Sequence, residues 1–318
     1  MKKLLIGLTM VAAACSSAFA QNFPDRPIKF IVPFPAGQAS DIVARVAAEQ
    51  LSLRIKQPVI VENRTGAGGS VGTEAGARSK PDGYTLTVAT AALPISQHVR
   101  KLRFDASKDF APVALMTITP LVMVTRPDLP VNSVKDVIDL VSKEPGKYTF
   151  ASSGPGTSHH LSGELFKSMN NLDMLHVPYQ GSAAAHIDLI AGRVDVMFDN
   201  ILPLTPHLTQ KTLKGLAVTT KERASSQPNL PTMAEAGYPK FEAVAWFGLL
   251  APAGTPQEIV DLLNKEVNAG LQTPAAKARL EDMGGFVQNM TSKEFKQFLD
   301  NDIAKWEPVV KQANIQLD

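Results

Sequence analysis

An α/β fold in two lobes, each a mainly parallel sheet flanked by helices, is what this sequence of 318 residues predicts. Strand-like and helix-length segments alternate along most of the chain, which is the pattern of βαβ units. The length suits two domains, at about 150 residues each. Three successive helical patterns follow the last strand-like run.

The first series begins with Ile28 to Val32, a short β-rich run that stops at Pro33. Asp41 to Ile55 then carries Ile42, Val46 and Leu53 at helical spacing. Val59 to Val61 is the next strand, Ser70 to Lys80 a helix, and Thr85 to Ala89 a third strand. The second series opens on Leu121 to Val124. It continues with helices over 134–141, 161–169 and 183–191, and with strands at 148–151, 175–177, 194–198 and 214–218. After the strand-like Ala243 to Leu250, helices are expected over 256–271, 274–283 and 292–310, with Pro256 and Pro274 in first turns, where proline is tolerated. Helices appended in this way commonly pack back on the first lobe. The expected division is therefore residues 24–123 with 247–318 as one lobe and 124–246 as the other, joined by two crossings that form a hinge.

Residues 1–20 read as a secretory signal peptide: Lys2 and Lys3, the apolar run Leu4 to Ala14, then Ala18-Phe19-Ala20. The apolar run is shorter than the roughly 20 residues a membrane-spanning helix needs. Cys15 follows three alanines, a poor version of a lipoprotein box, so cleavage after Ala20 is the expectation and leaves a mature chain without cysteine. That excludes disulfides, thiolate chemistry and cysteine zinc sites. Removing Lys2 and Lys3 from 32 basic residues leaves 30, against 30 acidic ones. No segment clusters Lys and Arg, so the footprint of a nucleic-acid binder is missing.

In an open parallel sheet, ligands sit at the carboxyl ends of strands, where loops lead into helices. The first such loop, Pro33 to Asp41, is stiffened by two prolines and given conformational freedom by Gly37. Ser40 or Asp41 is a suitable cap for the following helix. Free N–H groups there, at the positive end of the dipole, make an anion site; an ordinary capped turn fits this loop equally well. The second loop, Ser152 to His160, adds hydroxyls. The third, Pro178 to Ser182, places Ser182 as a cap, and the fourth is Thr90 to Pro94. None of the four contains Lys or Arg, so a bound anion would be held by N–H groups, hydroxyls and water. A polyphosphate would call for cations or a metal, and a small carboxylate fits better.

Gly66 to Gly72 invites a nucleotide reading, but the sixth fingerprint position is Val71 and no Gly-Lys-Ser/Thr follows. His160 and Glu164 have ligand spacing on one helix face, yet zinc needs a third protein ligand and no HExxH is present. A G-x-S-x-G elbow is also absent. No cofactor or metal is expected. Asp199, at a strand end, reads either as a contact to a ligand ammonium or hydroxyl or as a cap for residues 200–208. Tyr179 reads either as a ligand contact or as a half-buried ring.

Taken together, VPFPAG…SDIVAR, VENRTGAGGSVG, KPDGYTLTVAT, SSGPGTSHHL and VPYQGSAAAHIDLIAGRVDVMFD resemble the Bug (TctC-type) receptors of tripartite tricarboxylate transporters, from about Pro24 to the C-terminal helices. The resemblance implies a periplasmic Venus-flytrap protein, a monomer and not an enzyme, that binds a small carboxylate or amino acid and delivers it to membrane transporter subunits. It implies ligand contacts at Phe34, Ala36, Gly37 and Asp41, at Thr90, at Ser153, Gly154, Thr157 and His160, and at Tyr179, Gly181 and Asp199. The family's first loop usually carries two glycines; here the second is Gln38, which either intrudes on the carboxylate site or adds an amide contact. Two other classes share a cleft of this shape: a secreted α/β enzyme acting on a small carboxylate, and a receptor that presents its ligand to a sensor protein.

Overall fold

The computed structural model describes residues 23–241 and 243–313. The segment read as a signal peptide, with Cys15, lies outside the described residues.

Two parallel three-stranded units are present. In the first, β1 (Ile28–Val32) lies between β2 (Val59–Asn63) and β3 (Thr85–Thr90). In the second, β5 (Thr149–Ser152) lies between β6 (Leu175–Pro178) and β7 (Val196–Asn200). Two longer strands, β4 (Phe110–Thr125) and β9 (Val244–Pro252), join the units by antiparallel pairing, so the strand order is β2-β1-β3-β9-β4-β7-β5-β6. Residues 110–120 of β4 pair with β9, whereas 121–125 pair with β7 and with β8 (Lys214–Val218). One strand thus passes from one sheet into the next. The two-residue strand β10 (Phe286–Val287) also pairs with β4. The fold is a two-lobed α/β structure built on a curled mixed sheet.

Helices cover the sheets. In the first unit these are α1 (Ala39–Ile55), α2 (Ser70–Ala77) and α3 (Ala92–Val99). In the second they are α4 (Val134–Lys143), α5 (Ser158–Asn170), α6 (Ser182–Ile190) and α7 (Ile201–Thr209). The tail supplies α8 (Gln257–Leu271), α9 (Pro274–Glu281) and α10 (Ser292–Ala313). The buried stripe of α1 runs through Val43, Val46, Ala47 and Leu51, at the i, i+3, i+4 spacing of one helix face. Leu53, expected on that stripe, is 69% exposed. Small residues allow α8 to lie close to α1: a Cβ on Gly270 would stand 2.9 Å from that of Gln50. Arg54 Nε donates to Glu266 across the same pair at 2.7 Å.

A second cluster, including Val122, Val124, Ala151, Met197, Leu204 and Val218, fills the core of the second unit. Each such buried side chain contributes about 1.5–3 kcal/mol relative to its exposed state. The last helix, α10, covers β4 and β9: Trp246 packs edge-on to Phe295 and Phe298, and its Nε1 donates to Asp302 at 2.8 Å. Among the described residues, no helix is long and apolar enough to cross a membrane.

Candidate functional site

The starts of four helices meet between the two units, each delivered by the carboxyl end of a strand. The first is α1. Gln38, extended at φ −76°, occupies its cap position without a side-chain cap bond. Ser40 and Asp41 therefore do not cap it. Asp41, three residues into the turn, reaches back instead: Oδ2 accepts from Gly37 N (2.9 Å) and Arg45 Nε (2.9 Å), and Oδ1 from Asn63 Nδ2 (3.0 Å). The carboxylate thus ties the N–H one residue before the cap back to the first turn of the helix. Burial pushes the Asp41 carboxyl up, but Arg45, the Gly37 amide and Asn63 together hold it below the ordinary range. Asp41 fixes the loop rather than facing the cavity beside it.

Thr157 does cap α5. Its Oγ1 accepts from His160 N at 3.4 Å and donates to Gly154 O at 2.7 Å. His160 Nδ1 accepts from Gly156 N at 3.2 Å, and its ring stacks on His176 with centroids 4.1 Å apart. Burial brings both imidazoles down to about 4, so at neutral pH they are uncharged props behind the loop. At α6 the cap is Gly181, at φ +119°, and not Ser182. Ser182 is the first helical residue and donates to Asp199 Oδ1 at 3.0 Å.

Asp199 is fully buried. Besides Ser182 it accepts from His186 Nε2 (2.6 Å) and Asn200 N (2.7 Å), and His159 Nε2 lies 3.1 Å away. Desolvation pushes its carboxyl up, but the two imidazoles outweigh burial and hold it low. Both its oxygens are engaged internally, where it ties α5, α6 and α7 together.

These helix starts line a small inner cavity of about 20 Å³. Gln38 and Ser40 come from α1, Thr90 to Ala92 from the start of α3, Ser153 and Thr157 to His159 from α5, and Asn200 from α7; Phe34, Ala245 and Phe247 complete it. No Lys, Arg, Asp or Glu lines it, and burial keeps His159 neutral. The first N–H groups of a helix have no intrahelical acceptor, and the dipole there is positive. Ser40 Oγ and Gln38 Oε1 are buried without a hydrogen-bond partner. The arrangement offers N–H and hydroxyl donors and no fixed cation.

An outer cavity of about 290 Å³ shares Phe34 and Ser153 with the inner one. Its other walls are Pro33, Pro35 and 65–69 from one unit, Gly154, Pro155, Tyr179 and Gln180 from the other, and Arg100.

Of the residues singled out in the sequence, Phe34, Gln38, Thr90, Ser153 and Thr157 meet at the inner cavity, and Gly154 and Tyr179 at the outer one. Ala36 and Gly37 shape the first loop without lining either. Asp41, His160 and Asp199 stand behind the walls. The Tyr179 hydroxyl donates to Asp188 Oδ2 at 2.7 Å, and burial with that carboxylate raises it to about 12. Gly181 lies against Pro35 and Gln38 at the seam. The sequence reading did not select Ser40 as a cavity residue, nor Ser158, His159, Asn200, Phe247 or Arg100. The first three sit inside loops already marked, and Asn200 is a favoured cap type directly after a strand. Phe247 belongs to a joining strand and carries no loop signal. No three side chains of the metal-ligating types come together among the described residues.

A two-lobed α/β protein with an uncharged, amide-rich cavity between its lobes is a solute-binding receptor by design. The model of the tripartite tricarboxylate transporter family receptor (TctC) matches residues 43–315, and the chain belongs to that family. It is 35% identical over 317 residues to protein BugT of Bordetella pertussis, covering 98% of this chain and 97% of the relative. Rpa4515 of R. palustris, solved with adipate, superposes with a TM-score of 0.89 at 35% identity, over 92% of this chain and 99% of that one. MatC from Rhodopseudomonas palustris, solved with bound malate, gives 0.85 at 33% identity, over 91% and 100%.

Proposed function

We propose that this protein is a periplasmic receptor that closes over a small carboxylate and hands it to a membrane transporter of the tripartite tricarboxylate type. The observation that carries the reading is the inner cavity: four helix starts, no charged side chain, and an unpartnered buried hydroxyl on Ser40. Adipate and malate in the related structures support a carboxylate. One carboxylate of the ligand would face the free amides of α1, α3 and α5 together with the Ser40 and Ser153 hydroxyls.

A polar relay supports that orientation. Thr119 Oγ1 donates to Asn200 Oδ1 at 2.9 Å, which turns the Asn200 amide nitrogen to His159 Nε2 at 2.8 Å. His159 Nδ1 lies 2.6 Å from Ser153 Oγ and holds that hydroxyl at the cavity wall. Ser153, His159 and Asp199 are spaced like a hydrolytic triad, but Asp199 is shared with His186, Ser182 and Asn200. Family membership favours a binding site over an enzyme.

The lobe division follows from the same reading. The change of partner along β4 and the start of β9 at Val244 support crossings at residues 120–121 and just before 244, a few residues earlier than the sequence suggested. Residues 1–20 would direct export.

A thermal-shift screen of the refolded protein tests the proposal, refolding serving to remove ligand carried from the host. A carboxylate at 100 times its Kd is expected to stabilise the fold by about 2.7 kcal/mol. A shift with a sugar or a cation and none with any carboxylate would reject it.

A further inference from the structure

Arg100 follows the last residue of α3 in the first lobe and reaches across the cleft, where its Nη2 donates to Pro155 O of the second lobe at 3.1 Å. A guanidinium carries five N–H donors, and this is one bond. Among the described residues no Asp or Glu pairs with Arg100; burial alone pulls it below its ordinary value, with no carboxylate to offset that. It stands in the wall of the outer cavity, beside the glycine-rich turn that the nucleotide motifs did not explain. In that turn Gly66, Gly68 and Gly69 all have positive φ. They leave the space open: a Cβ on Gly68 would stand 2.7 Å from Pro155 O and 3.6 Å from Arg100 Nη2.

We propose that the outer cavity is the subsite for a second negative group of the ligand, with Arg100 as its counter-ion, which makes the preferred solute a dicarboxylate rather than a monocarboxylate or a neutral amino acid. The inference rests on the carboxylate reading of the inner cavity and adds a second site to it. The two compartments divide the work by chemistry. The inner one neutralises a carboxylate with amide and hydroxyl dipoles alone. The outer one supplies a half-buried cation without a carboxylate partner, whose planar fork matches a carboxylate in two hydrogen bonds. Phe34 and Ser153 wall both compartments, so one flexible chain can run from the inner to the outer. An amino acid ammonium would meet Arg100 as a like charge and be disfavoured.

Isothermal titration of refolded wild-type and Arg100→Gln protein tests this, with straight-chain α,ω-dicarboxylates of four to eight carbons, each set against the monocarboxylate of equal length. In the wild type the best dicarboxylate is expected to bind at least tenfold more tightly than its monocarboxylate. Arg100→Gln should weaken the dicarboxylate at least tenfold and change the monocarboxylate less than twofold. Arg100→Lys, which keeps the charge without the fork, should retain part of the preference. Equal loss for both ligand types would make Arg100 a latch between the lobes and overturn the subsite. No loss for either would overturn it as well, and both results would leave the carboxylate reading standing. Binding of no carboxylate by the wild type would bring down both.

Discussion

Asp199→Ala is expected to lower the unfolding free energy by about 3–5 kcal/mol, the range for removing one partner from a buried, hydrogen-bonded charge cluster. The carboxylate has no solvent exposure, and its removal leaves the His186 Nε2–H, the Ser182 hydroxyl and the Asn200 N–H without an acceptor in a place water does not reach. Each such orphan costs about 1–3 kcal/mol. Urea denaturation measures the effect as a shift in midpoint with an unchanged slope. Asp199→Asn keeps one acceptor oxygen and should lose less. A stability change under 1 kcal/mol, paired with a large loss of ligand affinity, would restore Asp199 to the cleft as a ligand contact.

Gly68→Ala is expected to weaken ligand binding about 5- to 150-fold. An added Cβ would stand 2.7 Å from the Pro155 carbonyl, a backbone atom of the opposite lobe that cannot rotate away. Overpacking of this kind costs about 1–3 kcal/mol, and at 1.4 kcal/mol per factor of ten that gives the stated range. Gly68 also lies at φ +64°, so alanine strains the backbone in any state of the protein. Gly254→Ala separates the two effects: φ there is +85°, but the nearest atom to the added Cβ is 3.8 Å away. The control should lose stability without losing affinity. Titration of both variants with one carboxylate provides the measurement. If Gly68→Ala bound as tightly as the control, the contact between the lobes at Pro155 would not belong to the ligand-bound form.

The sequence revealed elements that announce themselves locally. The runs Ile28–Val32 and Lys214–Val218 were placed residue for residue because short β-rich segments between turn residues have few other readings. The joining strand β4 was recognised only over Leu121 to Val124. Its first half contains Pro112, and its register with β9 shifts between Pro112 and Ala114 and again between Leu115 and Thr117, so no clean alternation marks it. Pro94 made α3 look like a loop, although proline suits a helix's first turn, and Arg100 at its far end went unread. Caps were misjudged for a physical reason. Gln38 and Gly181 hold those positions because Asp41 and Ser182 are committed to partners elsewhere, and such competition is settled only in three dimensions.

The same distinction holds at the site. Loop chemistry pointed to Phe34, Gln38, Thr90, Ser153 and Thr157, which do meet around one cavity. It also pointed to Asp199 and His160, polar residues at the right ends of the right elements. Their side chains are turned inward to hold the loops in place. Residue type could not separate a wall from its support, because both need the same hydrogen-bonding groups.

A crystal structure of the refolded protein with its tightest-binding carboxylate tests the central claim most directly. The account predicts one carboxylate in the inner cavity, within hydrogen-bond distance of the first-turn amides of α1 and α5 and of the Ser40 and Ser153 hydroxyls, with no Lys or Arg touching it. A carboxylate held there by a salt bridge, or a ligand seated outside the cleft between the lobes, would contradict it.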